Sequence, residues 1–400
     1  MDSCDVLIVG GGLTGCAAAF HLAKAGASVV LVEQGDINAG ASGQNAGSLH
    51  FQIERRFLEH GEALAEQAAR VIALNRLAID EWRQLEALLG CDLEIAFDGG
   101  LMVATTPDEM RLLTRKAKRE ADYDIPTRLI DGDEARAIAP YLAPEIIGAT
   151  WLADEGHANP RILTPAFARA AVRSGAEIRT QTSVNAIARA STGFAVSTAD
   201  AAGHARLHAD QLLIATGAWA ATTAALANVH LPVFPVGLTM SVSARTRALM
   251  PHLIQHVGRR LSMKQAHDGN IVIGGGWASR LRPGVHGGFD LSGPPLLQLD
   301  VVRENLRAAV ATVPATAQLS LIRSWTGTVA LTADQLPIVG EIPSVPGLHV
   351  CVGGSGFTLG PTFARFLADS IGGLPVAATD VFTPFSPARF EHLNSFMGLP

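Results

Sequence analysis

The chain opens on a short run of consecutive apolar residues that leads into glycines and then into an alanine-rich stretch. Residues 6–9 are all apolar, which is typical of a parallel strand covered on both faces. The following AAAFHLAKAG is rich in helix formers and stops at Gly26. SVVLVE is a second apolar run, ending in Glu33. The pattern predicts a strand, a tight turn, a helix and a second strand.

Further apolar runs occur in the middle and near the end of the chain. ADQLLIATG predicts a strand ending at residues 215–217, and PGLHVCVGG predicts another ending at Gly353. Between them, PVFPVGLTMSVSA and RRLSMKQAHDGNIVIGGGW have the alternation and glycine turns of antiparallel strands. PPLLQLDVVRENLRAAVATV has the period of an amphipathic helix that begins after a Pro-Pro stop.

These elements predict an α/β protein with two domains. One is a Rossmann-like dinucleotide-binding domain with a parallel sheet at its core, and the other is an α+β domain built on an antiparallel sheet. Because buried-strand patterns occur at both ends of the chain, the first domain must be discontinuous. The predicted division assigns 1–92, 148–230 and 323–385 to the dinucleotide-binding domain and 93–147 and 231–322 to the substrate domain. The tail, 386–400, is either a frayed end or a docking segment.

Composition narrows the class of protein. Hydrophobic residues make up 48% and charged residues 17% of the 400 residues, which suffices for a large core, and the net charge of −6 disfavours a nucleic-acid partner. The sequence has no apolar run long enough to predict a transmembrane segment. The opening MDSCDVLIVGGG lacks a basic region before its apolar run, unlike a secretion signal. The four cysteines form no C-x-x-C and the 13 histidines show no metal-ligand spacing. We therefore expect a cytoplasmic protein without a metal site.

The first turn carries glycines at a spacing with a physical use. Gly10, Gly12 and Gly15 fill G-x-G-x-x-G. The first allows the turn, the second lets the backbone approach a pyrophosphate, and the third lets the helix pack on the strand. Glu33 follows near the spacing at which a carboxylate meets an adenosine ribose, and it disfavours the 2′-phosphate of NADP. This unit predicts a dinucleotide but does not separate NAD from FAD.

Three later stretches favour FAD. GASGQNAGSLHFQ is small, polar and turn-forming, where an NAD enzyme usually continues into another helix. The strand ending in A-T-G at residues 215–217 is preceded by Val184, which is a candidate to line an adenine pocket. GGSGFTLGPTFARFLADSI is a second glycine-rich loop that runs directly into a helix.

Together these stretches resemble a known family. The matching motifs are the first glycine loop with Glu33, S-x-x-N-A-G at 42–47, A-T-G at 215–217, and the W-x-G and T-x-D-x-x-P-x-x-G of WTGTVALTADQLPIVG. Over essentially its whole length the chain resembles the D-amino-acid oxidase, glycine oxidase and sarcosine oxidase family of FAD-dependent amine oxidoreductases. GQNAGSLH most resembles the beta subunits of multi-subunit sarcosine, hydroxyproline or opine oxidases and dehydrogenases.

The resemblance implies a role for both glycine loops. The first holds the pyrophosphate of FAD, and the second brings a helix N-terminus to the isoalloxazine ring, where its partial positive charge stabilises the reduced flavin. The implied reaction oxidises a C–N bond next to a carboxylate, with a hydride passing to flavin N5. The candidate cofactor-binding residues are Gly10, Gly12, Gly15, Glu33, Gln34, Ser42, Gln44, Asn45, Ala46, Gly47, Val184, Thr216, Gly217, Trp219, Gly353, Ser355, Gly356, Phe357 and Thr358.

Two residues are candidates to bind the substrate. His50 follows the polar run and is a candidate to anchor a carboxylate or hold the amine. Lys264 comes from the predicted antiparallel sheet and is a candidate to pair with a carboxylate. The alternatives are a structural histidine and a lysine on a solvated face.

The chain departs from the family pattern at three places. Val329 occupies the position of the arginine that binds the carboxylate in glycine oxidases. Trp325 and Thr326 occupy the region where monomeric sarcosine oxidases attach the flavin through a cysteine, so we expect non-covalent FAD. Val272 occupies the position of the oxygen-activating lysine of those oxidases, which favours a dehydrogenase.

Three functions remain open at this point. The leading one is the substrate-oxidising subunit of a hetero-oligomeric dehydrogenase acting on a small secondary or D-amino acid that is sarcosine-, hydroxyproline- or opine-like. Its electrons would pass to companion subunits that carry further flavin or iron–sulfur centres. The second is a self-sufficient oxidase that makes hydrogen peroxide. The third is a non-catalytic flavin-binding assembly subunit.

Overall fold

Two eight-stranded sheets organise the protein. The structure is a computed structural model and describes residues 2–58, 62–285, 287–375 and 379–397. The last three residues of the predicted tail, 398–400, lie outside these ranges.

The strands were numbered in chain order. They are β1 (Asp2–Val9), β2 (Val29–Val32), β3 (Ser48–Leu49), β4 (Gly100–Ala104), β5 (Arg128–Asp131), β6 (Gly148–Leu152), β7 (Gly156–His157), β8 (Glu177–Arg179), β9 (Ser183–Arg189), β10 (Phe194–Asp200), β11 (Gly203–Ile214), β12 (Val233–Ser243), β13 (Leu253–His256), β14 (Leu261–Gln265), β15 (Ile271–Ser279), β16 (Arg282–Pro283), β17 (Phe289–Asp290), β18 (Leu321–Thr332), β19 (Ile338–Glu341) and β20 (Leu348–Val352).

The helices were numbered in the same way. They are α1 (Leu13–Lys24), α2 (Ala41–Gln44), α3 (Arg55–Leu58), α4 (Glu62–Trp82), α5 (Leu85–Leu89), α6 (Pro107–Ala121), α7 (Gly132–Ile138), α8 (Pro160–Arg173), α9 (Ala220–Ala225), α10 (Leu299–Thr312), α11 (Gly360–Ile371), α12 (Thr379–Phe382) and α13 (Glu391–Phe396). Within the described ranges, every helix is too short or too polar to cross a bilayer.

The first sheet has the predicted parallel core. Its order is β19-β20-β11-β1-β2-β8, with the antiparallel pair β9 and β10 attached to β11. Strand β1 is central and pairs in parallel with both β2 and β11. Its side chains alternate between two cores: Val6 and Ile8 pack into one, and Leu7 and Val9 into the other. Burial on both faces explains the continuous apolar run in the sequence.

The second sheet is largely antiparallel. Its order is β18-β12-β15-β14-β13-β4-β6-β5, and only β13 and β4 pair in parallel. Helix α10 covers one face, and its Asn305 side chain donates to Gly274 O at 3.2 Å. The amphipathic helix predicted for this region is therefore confirmed.

Two strands lie in a different sheet from the one that the predicted domain boundaries gave them. We assigned 148–230 and 323–385 to the dinucleotide-binding domain, but β6 and β18 both belong to the antiparallel sheet. Strand β6 pairs with β4 and β5, and β18 pairs along its length with β12. The apolar alternation of these strands fits either sheet, because their partners are distant in sequence and not visible from local pattern.

Candidate functional site

The first glycine loop joins β1 to α1 by close backbone packing. A Cβ atom on Gly15 would overlap Gly10 O, so only glycine lets the helix approach the strand this closely. Gly10 N donates to Val32 O at 2.9 Å. Helix α1 begins after Gly12, which has no side chain to cap the first turn. The loop thus presents the start of a helix beside bare backbone, as a pyrophosphate site requires.

Glu33 closes the other side of this loop. Its carboxylate accepts hydrogen bonds from Gly11 N at 2.7 Å and Gly35 N at 2.8 Å. Each oxygen keeps a further lone pair that can accept from a ribose hydroxyl. Thr182 N donates to the backbone carbonyl of Glu33 at 2.8 Å, which brings the start of β9 and its Val184 to this end of the sheet. The side chain of Gln34, by contrast, is exposed.

The polar run 40–47 folds back onto the first loop. Ser42 Oγ accepts from Leu13 N at 2.9 Å, at the start of α1. Asn45 uses both ends of its amide within the run: Oδ1 accepts from Gly47 N, and Nδ2 donates to Ala41 O and Ser42 O. Asn45, a candidate cofactor-binding residue, thus also shapes the polar run through its own side chain.

Gln44 connects the polar run to the antiparallel sheet. Its backbone carbonyl accepts from Trp325 Nε1 at 2.9 Å, and its side-chain oxygen lies beside Gly327. Its amide nitrogen donates to Ala39 O at 2.8 Å. This contact brings the W-x-G motif of β18 against the polar run. Ala46 lies near the end of the same run, just before β3.

The A-T-G stretch meets the first loop at the carboxyl end of the parallel sheet. Ala215 N donates to Val9 O at 2.9 Å, and the Ala215 carbonyl faces Gly10. Thr216 precedes a short 3-10 turn, Gly217–Trp219, and its hydroxyl bonds to Thr223 Oγ1 at 3.1 Å. Ligands of open α/β sheets bind at this end of the strands.

The second glycine loop follows β20 with an unusual backbone. Gly353 has φ of +138° and packs so closely on Pro337 that a Cβ would lie 2.7 Å from Pro337 Cα. Ser355 has φ of +57°. Further along, Thr358 O accepts from Trp82 Nε1 at 2.7 Å, and the Phe357 ring lies 5.3 Å from the Trp82 ring. The loop, with Gly356 at its tip, is therefore fixed by packing from both ends.

The two glycine loops deliver two helix starts to one place. A Cβ on Gly360, the first residue of α11, would lie 3.1 Å from Leu13 Cδ2, the first residue of α1. Neither N-cap residue, Gly12 nor Leu359, caps its helix with a side chain. Two partially positive helix ends therefore lie close together, and each can stabilise negative charge on a ligand.

His50 lies between this region and the antiparallel sheet. Its backbone N–H donates to Thr358 Oγ1 at 3.3 Å, and its Nε2 bonds to Ser262 Oγ of β14 at 3.2 Å. Its Nδ1 is buried and has no hydrogen-bond partner among the residues described. A buried polar nitrogen without a protein partner can bond to a water molecule or a ligand atom.

A buried ionic network holds the backbone that follows His50. Glu155 Oε1 accepts from Phe51 N and Gln52 N, each at 3.0 Å, and Glu120 Oε1 accepts from Ile53 N at 2.5 Å. Both carboxylates are fully buried. Burial raises the pKa of Glu155, but its three N–H donors, the third from Gln52 Nε2 at 2.8 Å, favour the ionised form.

Lys116 completes the network from helix α6. Its fully buried amine donates to Glu120 Oε2 at 2.9 Å, Gln52 Oε1 at 2.7 Å and Thr150 Oγ1 at 3.3 Å. All three ammonium hydrogens are thereby used, and the orientation of the Gln52 amide is fixed. The segment 51–53 is consequently rigid, which fixes where His50 stands.

Lys264 is buried on the face of β14 that also carries Ser262, the hydrogen-bond partner of His50. It lies two residues from Ser262 on β14, is 3% exposed, and donates to Ala158 O at 3.3 Å. Its amine adjoins Gly47 of the polar run. Burial lowers the pKa of Lys264 to about 7, and the Glu94 carboxylate opposes this shift. The two predicted substrate residues thus flank the polar run.

Arg56 is a site residue that sequence reasoning missed. Its Nη2 donates to Ser355 Oγ at 2.9 Å and pairs with Glu54 at 3.2 Å, while Ser355 Oγ itself bonds to Glu54. Its Nη1 packs on Gly354 and has no hydrogen-bond partner in the described ranges. The sequence signal was the E-R-R triplet just after the polar run, which resembles an exposed helix start.

The residues present fit FAD. Glu33 with its free lone pairs suits a ribose, the uncapped start of α1 suits a pyrophosphate, and the uncapped start of α11 beside His50 suits the flavin ring. The orphaned nitrogens belong to His50, whose backbone bonds to Thr358, and to Arg56, which packs on Gly354, so both residues adjoin the second glycine loop.

Comparison with known proteins agrees with this geometry. The family described as "FAD dependent oxidoreductase" (DAO) matches residues 5–370. Glycine oxidase from Geobacillus kaustophilus (strain HTA426) is 31% identical over 92% of this chain and 92% of its own. Sarcosine oxidase subunit beta from Arthrobacter sp is 26% identical over 97% of this chain and 91% of its own. The crystal structure of glycine oxidase from Geobacillus kaustophilus superposes with a TM-score of 0.80 and 28% identity, covering 96% of this chain and 98% of that one.

The family match spans both glycine loops, the polar run and the antiparallel sheet. The FAD cofactor and the α/β fold expected from the sequence are confirmed. The chain belongs to the DAO family of FAD-dependent oxidoreductases.

Proposed function

We propose that the protein oxidises the C–N bond of a small secondary or D-amino acid, sarcosine-, hydroxyproline- or opine-like, as the substrate-oxidising subunit of a hetero-oligomeric dehydrogenase. FAD, when bound, supplies the hydride acceptor for this reaction. The similarity to glycine oxidase and to a sarcosine oxidase beta subunit supports the substrate class.

The observation that carries the proposal is the pair of orphaned nitrogens beside the second glycine loop. Arg56 Nη1 and His50 Nδ1 are both buried without partners. A carboxylate accepts hydrogen bonds from such donors, and an arginine binds it with a fixed charge. Arg56, His50 and Lys264 thus form the proposed set of carboxylate ligands, in place of the family arginine whose position is Val329.

His50 also serves the amine in this proposal. Its Nε2 is held by Ser262 Oγ, and the ionic network fixes the backbone on its C-terminal side. The remaining ring nitrogen, Nδ1, can accept a hydrogen bond from the substrate amine, in which case Arg56 and Lys264 hold the carboxylate. Positioning of this kind lowers the barrier because the amine need not search for its geometry.

A self-sufficient oxidase is the second candidate, and one observation favours it. Lys264 stands directly opposite Val272 in the ladder of β14 and β15, so both side chains project from one face. A lysine amine is therefore present one strand away from the position of the oxygen-activating lysine of related oxidases.

Two further parts of the proposal are the companion subunits and the location in the cell. The likeness to a protein named as a subunit supports companion subunits that accept the electrons, carrying flavin or iron–sulfur centres. The four cysteines, Cys4, Cys16, Cys91 and Cys351, are free thiols, which supports a reducing, cytoplasmic location.

Anaerobic reduction of the bound flavin tests the proposal. We expect one member of a panel of N-methyl, cyclic and N-carboxyalkyl amino acids to bleach the flavin, with slow recovery in air. R56A should raise the half-saturating concentration of that amine at least about tenfold, as expected for one charge-assisted hydrogen bond. R307A, at an exposed ion pair with Glu304 on α10, is the matched control.

Each outcome separates the candidates. Failure of every amine to bleach the flavin would favour the non-catalytic assembly subunit. Rapid multiple turnover with one hydrogen peroxide per amine by the isolated chain would establish the oxidase and remove the partner requirement. Bleaching with an unchanged half-saturating concentration in R56A would show that the carboxylate binds elsewhere.

A further inference from the structure

The C-terminal segment 386–397 lies beyond the match to the family model, which ends at residue 370. It is docked: a 3-10 turn and helix α13 pack against the body of the protein. Phe385, the residue just before it, is fully buried in the core around α1 and α11. The described part of the segment therefore leaves the core at a fixed point.

Arg389 anchors this segment by its whole guanidinium group. Nε donates to Asp334 Oδ2 at 2.8 Å, and Nη2 donates to Asp334 Oδ1 at 3.3 Å, Leu336 O at 3.1 Å and Pro337 O at 2.9 Å. Nη1 donates to two carbonyls of its own segment, those of Phe385 and Ser386. A forked contact to a carboxylate with two further backbone acceptors fixes both position and orientation.

The turn that Arg389 holds carries the T-x-D-x-x-P motif. It is shaped internally by Leu336 N donating to Asp334 Oδ1 at 3.1 Å and by Thr332 Oγ1 donating to Leu336 O at 2.6 Å. Pro337, at the end of this turn, is the residue that packs on Gly353. Pro337 is therefore contacted both by Arg389, at its carbonyl, and by the second glycine loop, at its Cα.

A second contact of the segment is with another connection between the two sheets, the one that precedes β12. Asn394, which is buried on α13, accepts from His230 N at 2.8 Å, just before β12 begins. Ala333 N donates to Pro232 O at 3.0 Å and ties this connection to the turn after β18. The segment thus touches two of the connections between the parallel-core sheet and the antiparallel sheet, the one from β11 to β12 and the one from β18 to β19.

We propose that the C-terminal segment, through Arg389, is a positioning element for the cofactor: it presses the 332–337 turn against Gly353 and so sets the second glycine loop for FAD. Arg389 does not itself reach the predicted flavin region. It acts through Asp334 and Pro337. Loss of the Arg389 contacts leaves the turn without its hydrogen bonds to the C-terminal segment.

Dissociation of FAD from folded protein tests this proposal. The variants are R389A and a chain ending after Phe385, with R307A and F396A as controls, since the Phe396 side chain is 91% exposed. We expect R389A and the shortened chain to raise the FAD dissociation constant by at least about tenfold, roughly the loss of one or two hydrogen bonds to charged groups. The controls should match the parent protein.

Thermal unfolding of the apoprotein keeps the test decisive. If the shortened chain does not fold, the FAD dissociation constants of R389A and R389K still test the proposal, because neither substitution removes the packing of α13. R389K keeps the charge but not the fork, so it should also weaken FAD binding. A lower unfolding temperature with an unchanged dissociation constant, measured well below unfolding, would show a purely stabilising tail and overturn the proposal.

A double-mutant cycle tests the route through Pro337. P337A alone should weaken FAD binding, and R389A should have a smaller effect in the P337A background than in the parent, because both changes release one contact. Strictly additive changes in the dissociation constant would show that Arg389 does not act through this turn.

Discussion

Lys264 of β14 is paired directly with Val272 of β15, and the lysine amine lies buried at 3% exposure beside Gly47 of the polar run. Its one hydrogen bond within the described residues is to a backbone carbonyl, that of Ala158. A cation in this setting is costly to the fold, because burial is only partly offset by one neutral acceptor. Burial of Lys264 therefore lowers the stability of the fold.

The cost of Lys264 should appear as a pH-dependent stability. Burial lowers its pKa to about 7, against 10.5 for an ordinary lysine. Between these values the unfolded chain holds a proton that the folded chain has lost, so stability rises with pH across the window. K264M replaces the titrating amine with an apolar side chain. We expect this variant to be more stable than the parent at pH 6, with the difference in stability shrinking towards pH 10.

Thermal unfolding of both proteins from pH 6 to pH 10 measures this effect. K118M, at an exposed position of helix α6, is the control and should give a pH-independent difference from the parent. An advantage of K264M that stays constant with pH would show that Lys264 is not buried as a titrating amine.

Loss of the Glu33 carboxylate should weaken the cofactor without unfolding the protein. E33A removes the acceptor for a ribose hydroxyl and the acceptor of Gly11 N and Gly35 N. Losing a charge-assisted hydrogen bond costs on the order of 1.5–3 kcal/mol, so the FAD dissociation constant should rise about ten- to a hundredfold. Fluorescence titration of FAD measures it, with E304A as the exposed control. An unaltered constant would place the ribose elsewhere.

The cofactor should be held without a covalent bond. The region where related oxidases attach flavin carries Trp325 and Thr326, and Trp325 is engaged with Gln44 O. The nearest cysteine in sequence, Cys351, is buried in β20, where burial raises the pKa of its thiol to about 12. Acid precipitation should release all the yellow colour into the supernatant. Colour retained in the pellet would contradict this prediction.

Breaking the ionic network below His50 should be strongly destabilising. K116M leaves the buried Glu120 carboxylate and the Gln52 oxygen without their common donor. Removal of one partner from a buried ion pair costs roughly 3–5 kcal/mol. Chemical denaturation should show this loss in K116M and almost none in K118M, which lies on the solvent side of the same helix. A small loss in K116M would mean that water enters to replace the amine.

The N-terminal half of the site was open to prediction because its signals are local. The order of strand, glycine turn, helix and acid that ends in Glu33 follows from neighbouring residues, and the structure has it. The second glycine loop was visible for the same reason. His50 was singled out by its position after the polar run, yet its partners Ser262 and Thr358 are more than two hundred residues away in sequence.

What could not be predicted depends on contacts distant in sequence. Lys116 looks like one charge among many on an amphipathic helix, and only the fold shows that it is fully buried. Arg56 resembles a solvated residue until Ser355 and Glu54 are seen around it. Strand β18 carries family motifs that the resemblance led us to expect near the flavin, so its membership of the antiparallel sheet was missed.

The pairing of β1 with β11 and of β11 with β20 has a consequence for biosynthesis. These neighbouring strands span residues 2–9, 203–214 and 348–352, so the sheet cannot close until nearly the whole chain has left the ribosome. At about 5–20 residues per second, the apolar first strand waits tens of seconds for its partners. During that time its edge is exposed to aggregation, and the nascent chain should depend on chaperones. Arg389 lies C-terminal to all three strands, so its contacts with the 332–337 turn can form only after these strands have been synthesised.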